Sequence, residues 1–380
     1  MFNDSGNEAM TTLQAQWYNA MVAGLRLDPN TFQIVQPNVP LGNMSDSLWA
    51  YFNNLPPATL VNELNLSGGN QFYADYKAVV AQLESQNSDA FQRDLGDAYP
   101  AWMQYVKGLS PSPAAGDLAG VFRSWAMINY PNLASVGAND LEAILNDPIF
   151  AAQMAVNNTS GFINGVPNFS KTIADLRSAL QSATGASFSF DSETASSNVQ
   201  QTWAEGAVGL LFDFFEGENA TEYSSLSQQA ALSRVTVQAS FKSLLQFAAA
   251  PGSWYVSSAL GTAFATPDNT VWNHGTPNWN STFGPQGNML RFLTTLIVAD
   301  GIDLTVTSQA VYNSDQQQTI KTETGIAIWP FFFGEASATV TTDVSFSSEG
   351  YMTAHISSPA GNPVVIGANV TPVKSFLGAS

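Results

Sequence analysis

The chain has 380 residues, enough for one large domain or two ordinary ones; it is 45% hydrophobic and 12% aromatic but only 11% charged, which excludes a disordered chain, since disorder goes with high charge and few aromatics. Twelve basic residues stand singly against thirty acidic ones for a net charge of −18, which excludes a nucleic-acid partner held by clustered Lys and Arg and disfavours attraction to anionic lipid. There is no cysteine, so disulfides, thiolate nucleophiles and cysteine-ligated metals are excluded.

Apolar residues at Met10, Leu13, Trp17, Met21 and Leu25 recur at spacings of three and four, which predicts an amphipathic helix over 7–25. Asp28-Pro29-Asn30 ends it, and an extended Pro-containing stretch follows through Pro37 and Pro40. Ser45-Asp46-Ser47 caps a short helix carrying Leu48, Trp49, Tyr51 and Phe52, which Pro56-Pro57 stops. Phe72, Tyr76, Val79, Val80 and Leu83 form another helical stripe. One further helix is expected through Phe91, Leu95, Ala98, Trp102, Tyr105 and Val106, kinked at Pro100. Asp117, Asn139 or Asp140, and Ser170 are the expected N-caps of three later helices. No strand is expected before residue 184.

The period changes at Gly185. Ala186 to Phe190 alternates apolar and polar, and Val235 to Phe247 does so at length, with Ser243 and Leu244 each on the wrong face. Pro251-Gly252 breaks the chain, and Trp254 to Phe264 is expected to be helical. Two strands, Leu290–Val298 and Ile302–Ala310, are expected on either side of an Ala299-Asp300-Gly301 turn. An alternating strand from Ala338 to Phe346 turns at Ser348-Glu349-Gly350 and returns over Tyr351–Ile356, and Val364–Val370 is the last strand. The expected fold class is therefore α+β, with a helical N-terminal half (1–184) packed on a mainly antiparallel sheet formed by the C-terminal half (185–380).

Chemistry-bearing motifs are scarce. The two histidines are His274 and His355, and His355 lies within a strand. His274 sits in Val271-Trp272-Asn273-His274-Gly275-Thr276-Pro277-Asn278-Trp279, a polar, irregular segment. Trp272, His274 and Trp279 are the candidate ligand-binding residues. No His/carboxylate metal pattern, GxSxG elbow or phosphate loop is present, so no metal and no cofactor are expected. Asp213, Glu216 and Glu218 beside the apolar run 207–215 are the candidates for a carboxylate pair. Trp329-Pro330-Phe331-Phe332-Phe333 precedes the Ser/Thr-rich hairpin 337–357. With Val340, Val344 and Phe346 these aromatics make an amphipathic hairpin suited to membrane insertion or to assembly.

The leading expectation is a non-enzymatic protein that acts by self-association, as a homo-oligomer, or by binding a small-molecule or glycan ligand through polar, aromatic-rich surfaces. A membrane-active pore former and a carboxylate-dependent hydrolase are the alternatives. The sequence shows neither a basic leader with an apolar run nor a stretch of ~18 apolar residues. The expected location is cytoplasmic, or outside the cell without a cleaved signal.

Overall fold

The computed structural model describes residues 4–64, 70–85, 88–111, 113–199, 214–216, 220–268, 270–322, 327–331, 333 and 340–378. In chain order the elements begin α1 (Asp4–Leu25), β1 (Phe32–Gln36), α2 (Ser45–Phe52), β2 (Val61–Glu63), α3 (Phe72–Ala81), α4 (Ser88–Leu95) and α5 (Ala98–Lys107). Then come α6 (Leu118–Asn129), α7 (Ala134–Leu145), α8 (Pro148–Ala155), α9 (Ile173–Ser182), β3 (Ala186–Asp191), β4 (Phe215–Glu216) and α10 (Ala220–Ala231). The remainder are β5 (Val235–Ala248), α11 (Ser257–Ala265), α12 (Trp279–Phe283), β6 (Arg291–Ser308), α13 (Ser314–Thr322), β7 (Ala327–Ile328), β8 (Thr341–Phe346), β9 (Met352–Ser357), β10 (Val364–Pro372) and α14 (Val373–Phe376). The protein is α+β, with a helical N-terminal half and a mostly antiparallel mixed sheet built chiefly from C-terminal strands.

Contacts divide the chain into two units, each assembled from three segments. One holds residues 1–71, 163–250 and 291–372; the other holds 72–162, 251–290 and 373–380. Neither unit has a boundary at 184/185.

The first unit is organised by β6. On one side it pairs along most of its length with β5, which pairs in turn with β3. On the other side β10 takes residues 291–299 and β9 takes 303–308, so the sheet branches. β8 lies outside β9, while β1 and β2 continue beyond β10. β1–β2 is the parallel pair that makes the sheet mixed. Met10, Leu13, Trp17, Tyr18 and Met21 of α1 share one core with Val235, Val237, Ala239, Phe241, Leu304, Val306, Ala354 and Ile356. Each large side chain buried this way contributes about 1.5–3 kcal/mol.

Two expectations about strands are corrected. Residues 32–36 and 61–63 are strands of the sheet, although no strand was expected before 184. All five residues of β1 are buried, so the segment has no polar face and none of the alternation that betrays a half-buried strand. Buried Gln33 is accommodated because its Nε2 donates to the carbonyls of Pro57 (3.0 Å) and Thr59 (2.7 Å). Second, Ala299-Asp300-Gly301 is not a turn, for β6 runs straight through it. Gly301 has φ +64°, and a Cβ there would fall 2.7 Å from Lys242 Cβ. Both ladder partners flip faces at this point. Phe241 lies in the core that Leu244, three residues on, packs against, and Ala299 and Ile302 both lie in that core, which a strict period of two forbids. The flip explains why Ser243 and Leu244 broke the pattern of β5. Asp300 uses the break differently from a turn residue. Both its carboxylate oxygens accept from Gly361 N, at 2.9 and 3.0 Å, fixing the loop between β9 and β10.

In the second unit the helix expected through residues 91–106 is two helices, broken at Gly96-Asp97, with Pro100 in the first turn of α5. Asp117 does occupy the N-cap of α6 but makes no capping bond. Asn139 and Asp140 lie inside α7, which starts at Ala134. In the first unit α9 is capped not by Ser170 but by Thr172, through a reciprocal box with Asp175. The Ser170 hydroxyl accepts from Ala250 N instead (2.9 Å).

Candidate functional site

The segment 271–279 of the second unit is held by its tryptophans. Trp272 is 4% exposed, and its Nε1 donates to Ala263 O at 3.3 Å. Trp279 donates from Nε1 to Phe264 O at 2.9 Å and stacks on the Phe264 ring. Both acceptors are carbonyls in the last turn of α11, which have no partner within the helix itself. The indoles therefore cap a helix end and close over Phe283. Backbone bonds from Glu84 N to Val271 O and from Asn273 N to Gln82 O fasten the segment at its start. His274 is exposed and stands apart from both indoles' hydrogen bonds. The three residues are thus a buried anchor, Trp272, a half-buried one, Trp279, and one solvent-facing imidazole.

The second group is placed in the first unit's core. Trp329, Phe331 and Phe333 are 0%, 1% and 7% exposed. Trp329 stacks on Phe214, meets Trp17 edge-on, and donates from Nε1 to Gln14 Oε1 at 3.2 Å. Phe332 lies outside the described residues. Val340, Val344 and Phe346 are half-buried against the same core, and Lys321 Nζ sits 5.2 Å above the Phe346 ring. Asp213 and Glu218 also lie outside the described residues, and Glu216 enters only through its backbone pairing with Ala327.

What the sequence did not reveal is how the polar halves of five alternations come into register. The ladders align Asp191, Thr236, Thr307, Thr353 and Ser345 in one row across β3, β5, β6, β9 and β8. The next row is Ser189, Gln238, Thr305, His355 and Asp343, and the third is Ser187, Ser240, Asp303, Ser357 and Thr341. All fifteen positions are exposed or half-exposed. Ten are Ser or Thr, and none is Lys, Arg or Glu. Strand geometry spaces them about 4.8 Å across the sheet and roughly 6.7 Å along it. A shallow depression of about 370 Å³ lies at the corner formed by Ser187, Ser189, Gln238, Ser240 and Asp303.

One of the three carboxylates on this face, Asp191, is paired with a cation. Arg234 grips Asp191 with Nε at 3.1 Å and Nη2 at 2.6 Å, which holds that carboxyl below the usual carboxylate range. His355 Nε2 lies 3.4 Å from Asp303 Oδ1, with both side chains well exposed. No group of three His, Asp or Glu among the described residues could hold a metal ion. No described helix is long and apolar enough to cross a membrane.

The face ends at β8, which has no strand on its outer side among the described residues. Ser347 N donates to Tyr351 O at 2.9 Å. Bonded and non-bonded pairs alternate in an antiparallel ladder, so Thr341, Asp343 and Ser345 direct their amides to β9. Thr342, Val344 and Phe346 direct theirs away from it. No family model, curated protein or solved structure matches the chain.

Proposed function

We propose that the protein is non-enzymatic and acts by associating with further copies of itself, edge to edge, through β8. The observation that carries this reading is the outer edge of β8, which no strand pairs among the described residues. Natural edge strands are protected by charged side chains, Lys above all, and by Pro or bulges; Thr-Thr-Asp-Val-Ser-Phe has no Lys, Pro or bulge and a single charge, Asp343. Adding a strand there gains main-chain hydrogen bonds without any preformed pocket. A two-fold centred on Val344 would set Thr342 opposite Phe346 of the second copy and Asp343 opposite Ser345. The two Asp343 carboxylates are then diagonal rather than directly opposed, which avoids the like-charge penalty of a facing pair. The result is a self-complementary, closed interface, across which the hydroxyl rows continue. With a net charge of −18, the copies repel at long range, and salt shortens that repulsion to about 8–10 Å.

Light scattering across a concentration series, at low and raised ionic strength, tests the reading. The mass of the wild-type protein is expected to rise with concentration, and more steeply in salt. Thr342→Lys places a guard on the edge and is expected to abolish the rise, whereas Thr305→Lys, in the middle of the face, is expected to leave it intact. A wild type that stays monomeric throughout defeats the proposal. Among the described residues no observation favours the membrane or hydrolase alternatives, several of whose residues lie outside them.

A further inference from the structure

A second concave feature of the first unit lies away from β8 and does not depend on how that edge is used. Asn53, the C-cap of α2, and Asn54 lie beside Gln71, which bridges Asn54 as an isolated antiparallel pair. Facing them is a two-residue hairpin, Ile163 to Val166, closed by Val166 N to Ile163 O at 2.8 Å and Ile163 N to Val166 O at 3.2 Å. Its central residues Asn164 and Gly165 have φ +50° and +78°, the left-handed pair that the tightest hairpin turns require and that Asn-Gly supplies most readily. Together these residues, with Ala50 and Pro167, enclose a cleft of about 220 Å³.

The chemistry of the lining is specific. Among the described residues its polar side chains are Asn53, Asn54, Gln71 and Asn164, all carboxamides, and no described lining residue is ionisable. A carboxamide offers both donors and an acceptor. Asn164 Nδ2 is committed to Asp46 Oδ2, which turns Oδ1 into the available acceptor. Asn54 Oδ1 accepts from Asn62 Nδ2 at 3.0 Å, which leaves its own amide hydrogens to donate. Both ends are thereby oriented before any ligand arrives, and preorganisation of this kind lowers the cost of binding. Ala50 and Pro167 add a small apolar wall.

From this arrangement we infer that the cleft binds one neutral sugar ring. A pyranose carries vicinal hydroxyls that donate and accept at once, plus a C–H face for the apolar wall. A phosphate, carboxylate or amine would be desolvated with no lining charge to pair with it, which is costly. The volume lies below the roughly 300–1,000 Å³ of sites for drug-sized ligands, so the cleft takes one ring rather than an oligosaccharide or a nucleotide. The ring could be a free monosaccharide or the terminal residue of a glycan.

The test is saturation-transfer and titration NMR on the full chain with four neutral probes: the methyl glycosides of glucose, galactose, mannose and N-acetylglucosamine. A glycan array reports on terminal residues, with sulfate and citrate as anionic controls. At least one neutral probe is expected to bind in the millimolar range. Asn54→Leu and Asn164→Ala are each expected to weaken it by about tenfold, the worth of one neutral hydrogen bond. Thermal melts of both variants verify that they fold, and Asn157→Ala, outside the lining, is expected to bind like wild type. Binding of the free glycosides assigns a monosaccharide site, and binding on the array alone assigns a glycan end. No binding by any neutral probe in either format, preference for the anions, or unchanged affinity in both folded variants overturns the inference. None of these results bears on association through β8.

Discussion

Trp17 gives the sharpest test of how the first unit is held together. Its side chain is fully buried, with ring centroids of Phe188, Phe190, Trp329 and Phe331 at 5.3, 5.7, 5.2 and 5.9 Å. Three of the four contacts are edge-to-face, the geometry that the ring quadrupole favours. The same side chain carries a liability, because its Nε1–H is buried without an acceptor. Replacing it by Ala removes all four contacts and opens a cavity, at a cost of about 3–5 kcal/mol. Replacing it by Phe keeps one ring and loses about 1–2 kcal/mol of packing. That change also removes an unpaired donor whose burial costs about 1–3 kcal/mol. The two effects of Trp17→Phe nearly cancel. For a unit of this size 1 kcal/mol moves the midpoint by about 2–4 °C. Trp17→Ala should therefore lower it by about 6–20 °C and Trp17→Phe by less than about 4 °C, read by far-UV circular dichroism. Equal losses in the two variants would refute the orphan-donor argument, since they would mean that the indole N–H contributes favourably.

Two other outcomes follow from buried groups. Burial pushes the hydroxyls of Tyr51 and Tyr76 from near 10 up to about 12. The neutral form is favoured in the fold, so their stabilising contribution is complete below pH 10 and is lost as pH rises towards 12. A spectrophotometric titration should find tyrosines that ionise only as circular dichroism reports unfolding; full ionisation near pH 10 with the fold intact would contradict this. Asp300→Ala should cost about 1.5–3 kcal/mol, the worth of a charge-assisted hydrogen bond, and should speed amide exchange at Gly361. An unchanged exchange rate there would show that the carboxylate does not hold the loop.

Helices α1, α2 and α3 were legible because each carries a stripe at the 3.6 period, as α1 does from Met10 to Leu25, whereas one continuous stripe through α4 and α5 hid the break at Gly96-Asp97. β5 was legible for the converse reason, one face buried and the other wet. β1 was not, because all five of its residues are buried and the alternation is gone. The sequence of β6 reads as two strands because Asp-Gly is a turn signal wherever it falls. Here the pair serves a face flip inside a strand. The misfit of Ser243 and Leu244 in β5 was the visible trace of that flip. The candidate residues were legible in kind but not in place. The aromatics of 329–333 were conspicuous, yet those described lie in the core, because burial rather than exposure is what large rings gain from. The amide cleft was invisible, since Asn54 and Asn164 are brought together only by the fold.

The flip at Gly301 also determines where the polar rows can exist. Upstream of it, β6 is flanked by β10, and Leu296 to Asp300 are buried without interruption, so no face of that half is free. Downstream, β6 is flanked by β9, and Asp303, Thr305 and Thr307 return to the solvent side while Leu304 and Val306 stay in the core with α1. A strict alternation through Asp300 would have sent either Ala299 or Ile302 out of that core. One left-handed residue reconciles the two halves, letting a single strand serve a doubly covered sheet at one end and a half-open one at the other. β8 can therefore be an outer strand with a wet face only because β9 joins β6 beyond the flip. The proposed interface is thus tied to the geometry of Gly301 as closely as to the composition of β8.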